Sequence, residues 1–86
     1  MELLKVSAKS NPNMVAGAIA GITRENKTVE MQAIGAGSVN QAIKAIAVAR
    51  AFLEEDAIQI ACIPAFSEIT VGDETRTAIK FTIVRI

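Results

Sequence analysis

A chain of 86 residues has room for one small domain, expected here over residues 1–86, and at that size folding buries only about 60–65% of the surface the unfolded chain exposes. Hydrophobic residues make up 51% and aromatics 3%, so the core must be built from Ile, Val, Leu and Ala, while nine basic and nine acidic side chains cancel. The charge balance excludes binding to many phosphates by bulk charge and leaves only local clustering. With no His, Trp or Tyr, the usual proton shuttle, nitrogen metal ligand and best base-stacking side chains are missing, and neither an enzyme nor a metal or cofactor is expected.

The segment Leu3-Leu4-Lys5-Val6-Ser7-Ala8 alternates, with Leu4, Val6 and Ala8 on one side, as in a strand buried on one face. Lys9-Ser10-Asn11-Pro12 follows, a polar turn with Pro near the first helical position, and either Ser10 or Asn11 can cap the helix. That helix should run from about Asn13 to Glu25 with Val15, Ala18, Ile19 and Ile22 as its core stripe, and Asn26 is placed to take a left-handed conformation after it. Its other side, Ala16, Gly17, Ala20 and Gly21, is nearly bare around Arg24. Two interior glycines cost about 1 kcal/mol each relative to Ala. Close approach of another backbone, subunit or ligand is one reason to keep them; tight packing within the monomer is the other.

Lys27 to Ile34 forms a second alternating strand with Val29, Met31 and Ala33 in phase, and it leads through Gly35-Ala36-Gly37 into a long apolar helix. Ser38 with Gln41 three residues on reads as a capping box. The glycine turn can cradle an anion at the helix N-terminus, although its spacing is equally that of a plain structural turn and it is neither a full dinucleotide fingerprint nor a phosphate loop. The helix is apolar over more than half its circumference: Val39, Ala42, Ile43, Ile46 and Leu53 on one flank, Ala45, Val48 and Phe52 on the next. One sheet cannot cover that arc, which suggests a symmetry mate. Glu54-Glu55-Asp56 then reads as a solvated turn.

Ala57 to Ile63 is a third strand, with Ile58, Ile60 and Cys62 in phase. The lone Cys62 is a small apolar residue there. Past Pro64 the apolar phase moves to Ile69 and Val71, which points to a bulge or bend. Val71-Gly72-Asp73-Glu74 is a turn signal, and Arg76 to Ile86 alternates with Ile79, Phe81 and Ile83 inward. The longest uncharged run, Ser10 to Thr23, contains Pro and two Gly and is too short to span a bilayer. No charged-then-apolar leader opens the chain. The expected location is cytoplasmic, with no membrane partner.

The order is therefore β-α-β-α-β-β, each strand burying one face. That predicts an α+β two-layer sandwich with both helices on one face of a mixed four-stranded sheet. Right-handed crossovers make strands one, two and three parallel and strand four antiparallel. Both strand-to-helix turns and the hairpin tip then share one edge, where open α/β sheets bind ligands. That edge gathers Lys9, Ser10 and Asn11, then Gly35, Gly37, Ser38, Asn40 and Lys44, and Arg76 near the hairpin; Asp73 and Glu74 at the tip oppose a uniformly positive surface.

Leu4-Lys5-Val6-Ser7-Ala8-Lys9-Ser10, Val15-Ala16-Gly17-Ala18, Gln32 to Gly37 with Asn40-Gln41-Ala42, Ile63-Pro64-Ala65-Phe66 and Arg76-Thr77-Ala78-Ile79-Lys80 together closely resemble stage V sporulation protein S, a small bacterial family of about this length. The resemblance runs from end to end. That family looks like the archaeal chromatin protein Alba in fold and shares the architecture of a bacterial translation initiation factor's C-terminal domain. Alba-like proteins are dimers that bind DNA or RNA through basic residues in the first two turns and through hairpin arms. The resemblance implies that Lys9 contacts phosphate and that Gly72 to Arg76 is the arm. The second turn departs from the pattern, with Gly35-Ala36-Gly37-Ser38 where Alba-like proteins commonly carry arginines.

Two functions follow as expectations. The first is a dimeric or higher-order nucleic-acid-binding regulatory protein, in which Lys9, Lys44 and Arg76 contact phosphates while Ser10, Asn11, Ser38 and Asn40 position the backbone without strong sequence preference. The second is a protein-interaction module in a sporulation or developmental pathway that never touches nucleic acid. An enzyme or small-metabolite binder using the Gly35 to Ser38 turn as an anion cradle is a third, and it lacks a credible general base or nucleophile.

Overall fold

A computed structural model describes all of residues 1–86. Its elements are β1 (Glu2–Val6), α1 (Pro12–Arg24), β2 (Val29–Ala33), α2 (Ala36–Leu53), a single 3-10 turn at Glu54–Asp56, β3 (Ile60–Val71) and β4 (Glu74–Arg85). The sheet order is β1-β2-β4-β3, with β1 and β2 parallel and β4 antiparallel to both its neighbours. β3 consequently runs in the direction of β1 and β2. The expected element order, the mixed four-stranded sheet and the two-layer α+β architecture are all present.

The helix-facing side of the sheet reads as the alternation predicts. Val29, Met31 and Ala33 are paired with Ile83, Phe81 and Ile79 of β4, and all but the half-buried Ile79 are buried. Ile19, Met31, Leu53 and Val29 are the largest fully enclosed side chains. With so few aromatics, close approach of the two helices completes the core: Ala16 and Ala20 of α1, and Ala42, Ala45 and Ala49 of α2, are at most 1% exposed. The opposite sheet face carries Lys5, Glu30, Gln32, Lys80 and Thr82, and a Lys80–Glu30 ion pair at 3.4 Å crosses it.

Four expectations change. The buried stripe of α1 is Ala16, Ile19, Ala20 and Thr23 rather than one through Ala18, which is exposed. Ala16 and Ala20 therefore serve packing within the monomer, while a Cβ added at Gly17 or Gly21 would meet nothing within 4 Å. The predicted capping box does not form. α2 begins at Ala36, its N-cap position is Gly35 with φ 88° and ψ 158° and no side-chain cap, and Ser38 is already inside the helix. The wide apolar arc of α2 is mostly spent inside the monomer, leaving Ile43 47% and Phe52 39% exposed.

Finally, β3 has no bulge at Pro64. Every residue from Ile60 to Val71 pairs in one register with β4, from Arg85 back to Glu74. Proline is accommodated because β3 is an edge strand. The apolar phase changes because the covered face changes. Ile60 and Cys62 look toward the helices, but Phe66, on that same side, has left the helix layer and is 81% exposed. On the other side Ser67 is half-buried and its partner Ala78 is 1% exposed. The hairpin is thus an arm with its own inner face. A two-residue turn closes it, with Gly72 at φ 62°, a conformation glycine adopts without strain.

Candidate nucleic-acid interface

The β1–α1 turn is locked by its own polar side chains. Ser10 Oγ accepts from the Ser7 N–H at 2.9 Å, and Ser7 Oγ accepts from the Lys9 N–H at 3.2 Å. Asn11, one of the two candidate caps, is the residue that caps α1: its Oδ1 accepts from the N–H groups of Asn13 and Met14 at 2.9 and 3.3 Å. Pro12 follows at the position where a missing N–H costs least. Lys9 is left exposed at the apex.

The second turn is drawn against the first. An ideal Cβ on Gly37 would lie 3.0 Å from Ala8 Cβ, so only glycine allows this approach without displacement. Gln41 Nε2 donates to the Ser10 carbonyl at 2.9 Å, which uses the residue assigned to a capping box as a tie between turns. Lys9, Ser10, Asn11, Gln41 and Lys44 consequently line one open groove, and no acidic residue borders it. Ser38 and Arg76 lie elsewhere, in a second cavity with Lys5 and Gln32. Gly35 is the N-cap residue of α2, and Gly37 and Asn40 lie within its first turns, Asn40 exposed. Six of the nine predicted residues thus divide between two neighbouring concavities at one end of the molecule, and Gly35, Gly37 and Asn40 line neither.

Lys5, Ser7, Gln32 and Gln41 were not among them. Lys5 and Gln32 pair across β1 and β2 on the face away from the helices, a placement the alternation gives, but their meeting with Arg76 depends on the course of the arm.

Electrostatics distinguish this end. The three ion pairs are Arg24–Asp56 at 2.6 Å, Lys27–Glu25 at 3.2 Å and Lys80–Glu30, so Lys5, Lys9, Lys44 and Arg76 have no carboxylate partner. Glu2, Glu25, Glu54, Glu55 and Asp56 occur where β1 begins and the helices end, at the opposite pole. Neither helix has an acidic residue in its first turn. Arg24, Lys27, Arg50 and Arg85 share the acidic pole, so the separation of charge along the strand direction is slight and rests mainly on which cations are unpaired. Glu68, Asp73 and Glu74 on the arm moderate it; Glu68 pairs with Thr77 on the hairpin face opposite to that of Arg76 and Ile69.

No three Asp, Glu or Cys side chains gather where a metal ion could sit, and no helix is long and apolar enough to cross a membrane. The strand order, the two tied turns, the projecting hairpin and the motif segments they carry coincide with an end-to-end sequence match. Residues 2–86 fit the family described as stage V sporulation protein S (SpoVS), and the chain belongs to that sporulation-related family.

Proposed function

We propose that this protein is a small cytoplasmic nucleic-acid-binding regulator that acts as a homodimer through binding and not catalysis. The observation that carries the reading is the gathering of unpaired Lys5, Lys9, Lys44 and Arg76 at the turn end, while the ion pairs and five acidic residues lie toward the other end or on the sheet face. Such a gathering of unpaired cations steers a polyanion to that end. The groove between the tied turns offers two lysines, a hydroxyl and amides, the groups that meet phosphate and sugar and carry little sequence information. For the dimer, Ile43 on α2 and Ile63, Phe66 and Val71 on edge strand β3 supply exposed apolar surface, from 47% to 81% per residue.

Titration of fluorescent duplex DNA and single-stranded RNA across a salt series, with wild type and Lys9→Ala, tests the reading. Binding that weakens with salt and falls on substitution supports it and ranks the two polymers. No binding at low salt overturns it and leaves the exposed apolar surface to a protein partner.

A further inference from the structure

Between the inner face of the arm and the ends of β1 and β2 lies a cavity of about 380 Å³, within the range of roughly 300–1,000 Å³ that small-molecule sites occupy. Ser38 lines it. This residue is only 7% exposed, makes no side-chain hydrogen bond within the protein, and keeps its hydroxyl open to the cavity rather than sealed in the core. Lys5 from β1 and Arg76 from the arm also line the cavity, neither paired with a carboxylate, and no acidic side chain does. α2 starts beside it without a side-chain cap, so free N–H groups and the positive end of the helix dipole add to the same field.

These features ask for a compact anion with several acceptor oxygens. A phosphate monoester fits, carrying a charge of about −1.5 to −2 at neutral pH and three strong acceptors. The remaining wall does not suit a bare ion. Ile34 and Ile69 are apolar, and Gln32 presents an amide with both donor and acceptor. An apolar ring with a polar edge uses all three. The arm closes one side, so a continuous duplex cannot enter, while a single unit or a strand end can.

We infer that the cavity binds a nucleoside 5′-monophosphate unit, with the phosphate held by Ser38, Arg76 and Lys5. The unit is either a free nucleotide or the phosphorylated 5′ end of a single strand. The strand-end form rests on the nucleic-acid reading above; the free-nucleotide form does not.

Calorimetric titration of the full chain tests this with adenosine 5′-monophosphate, adenosine and inorganic phosphate as separate probes, then with one short single-stranded DNA bearing a 5′-phosphate or a 5′-hydroxyl. The nucleotide should bind more tightly than adenosine or phosphate. Ser38→Ala and Arg76→Gln should each weaken it about tenfold or more, the loss of one charged hydrogen bond, and Arg50→Gln, a surface charge remote from the cavity, should not. A tenfold preference for the 5′-phosphorylated strand identifies the strand end as the ligand; nucleotide binding without that preference identifies the free nucleotide. Failure of the nucleotide to bind together with equal binding of the two strands overturns the cavity assignment and leaves the nucleic-acid reading standing. Failure of every probe overturns both. Should Arg76→Gln lose its native circular dichroism, Ser38→Ala alone decides, since alanine suits a helix interior.

Discussion

The Gln41 side-chain amide donates to the Ser10 carbonyl across 31 residues of sequence, and this one bond joins the two strand-to-helix turns. It sets the separation of Lys9 from Lys44 without touching either. Gln41→Leu should cost about 1 kcal/mol of stability, the net worth of an ordinary hydrogen bond, measured by urea unfolding. It should also weaken nucleic-acid binding while leaving the salt slope unchanged, because the number of phosphate contacts is unaltered. Lys9→Ala and Lys44→Ala should behave differently. Each should reduce the slope of log affinity against log salt by about 0.9 on duplex DNA.

The glycines should separate into two kinds. Gly35 sits at φ 88° and ψ 158°, a region essentially reserved for glycine. Gly35→Ala should destabilise by about 1–3 kcal/mol even though nothing lies within 4 Å of the added Cβ. Gly17→Ala and Gly21→Ala place a methyl in open space on a regular helix. Each should stabilise the monomer by roughly 0.5–1 kcal/mol. If either one instead lowers affinity for nucleic acid or for a second copy, measured beside the melting curve, that bare strip of α1 is a contact surface.

Much of this architecture was legible because period-two alternation and helix stripes report faces directly. Val29, Met31 and Ala33, like Ile79, Phe81 and Ile83, needed no structure to be assigned to the core side. The capping box was not legible: Ser38 and Gln41 have the right spacing, yet a left-handed Gly35 starts the helix earlier and frees both for other uses. The inner face of the arm was hidden for a related reason. Alternation says that Ile69 and Val71 share a side, not which side is covered, and only the course of the hairpin brings Arg76 to Lys5 and Ser38. For the proposed site, Lys9 and Lys44 stand out in the sequence because they are charged and close to turns, whereas Lys5 does not because it sits within a strand.

Ser67 Oγ is buried without a hydrogen-bond partner. An unsatisfied buried hydroxyl costs about 1–3 kcal/mol. Ser67→Ala should therefore be neutral or stabilising, with any gain showing as a rise of about 4–8 °C in melting temperature per kcal/mol in a domain of this size. A fall in melting temperature would mean that the hydroxyl has a partner within the folded chain.

The proposed dimer can be tested at Ile43 and Phe66. Phe66→Glu and Ile43→Glu should leave the monomer folded, since Phe66 is 81% and Ile43 47% exposed, and should shift sedimentation equilibrium toward the monomer. A mass unaffected by both substitutions would place any dimer contact on another face.

From Ser67 to Ala78 the arm pairs only with itself, so lifting it uncovers its own inner face, Ala78 included, and leaves the helix-covered core in place. Its amides should exchange with solvent through local openings far less costly than global unfolding, while those of β2 wait for the core. The cavity beneath it can then fill and empty at the rate of a flexing hairpin, with the melting temperature of the domain unaffected by how often the arm lifts.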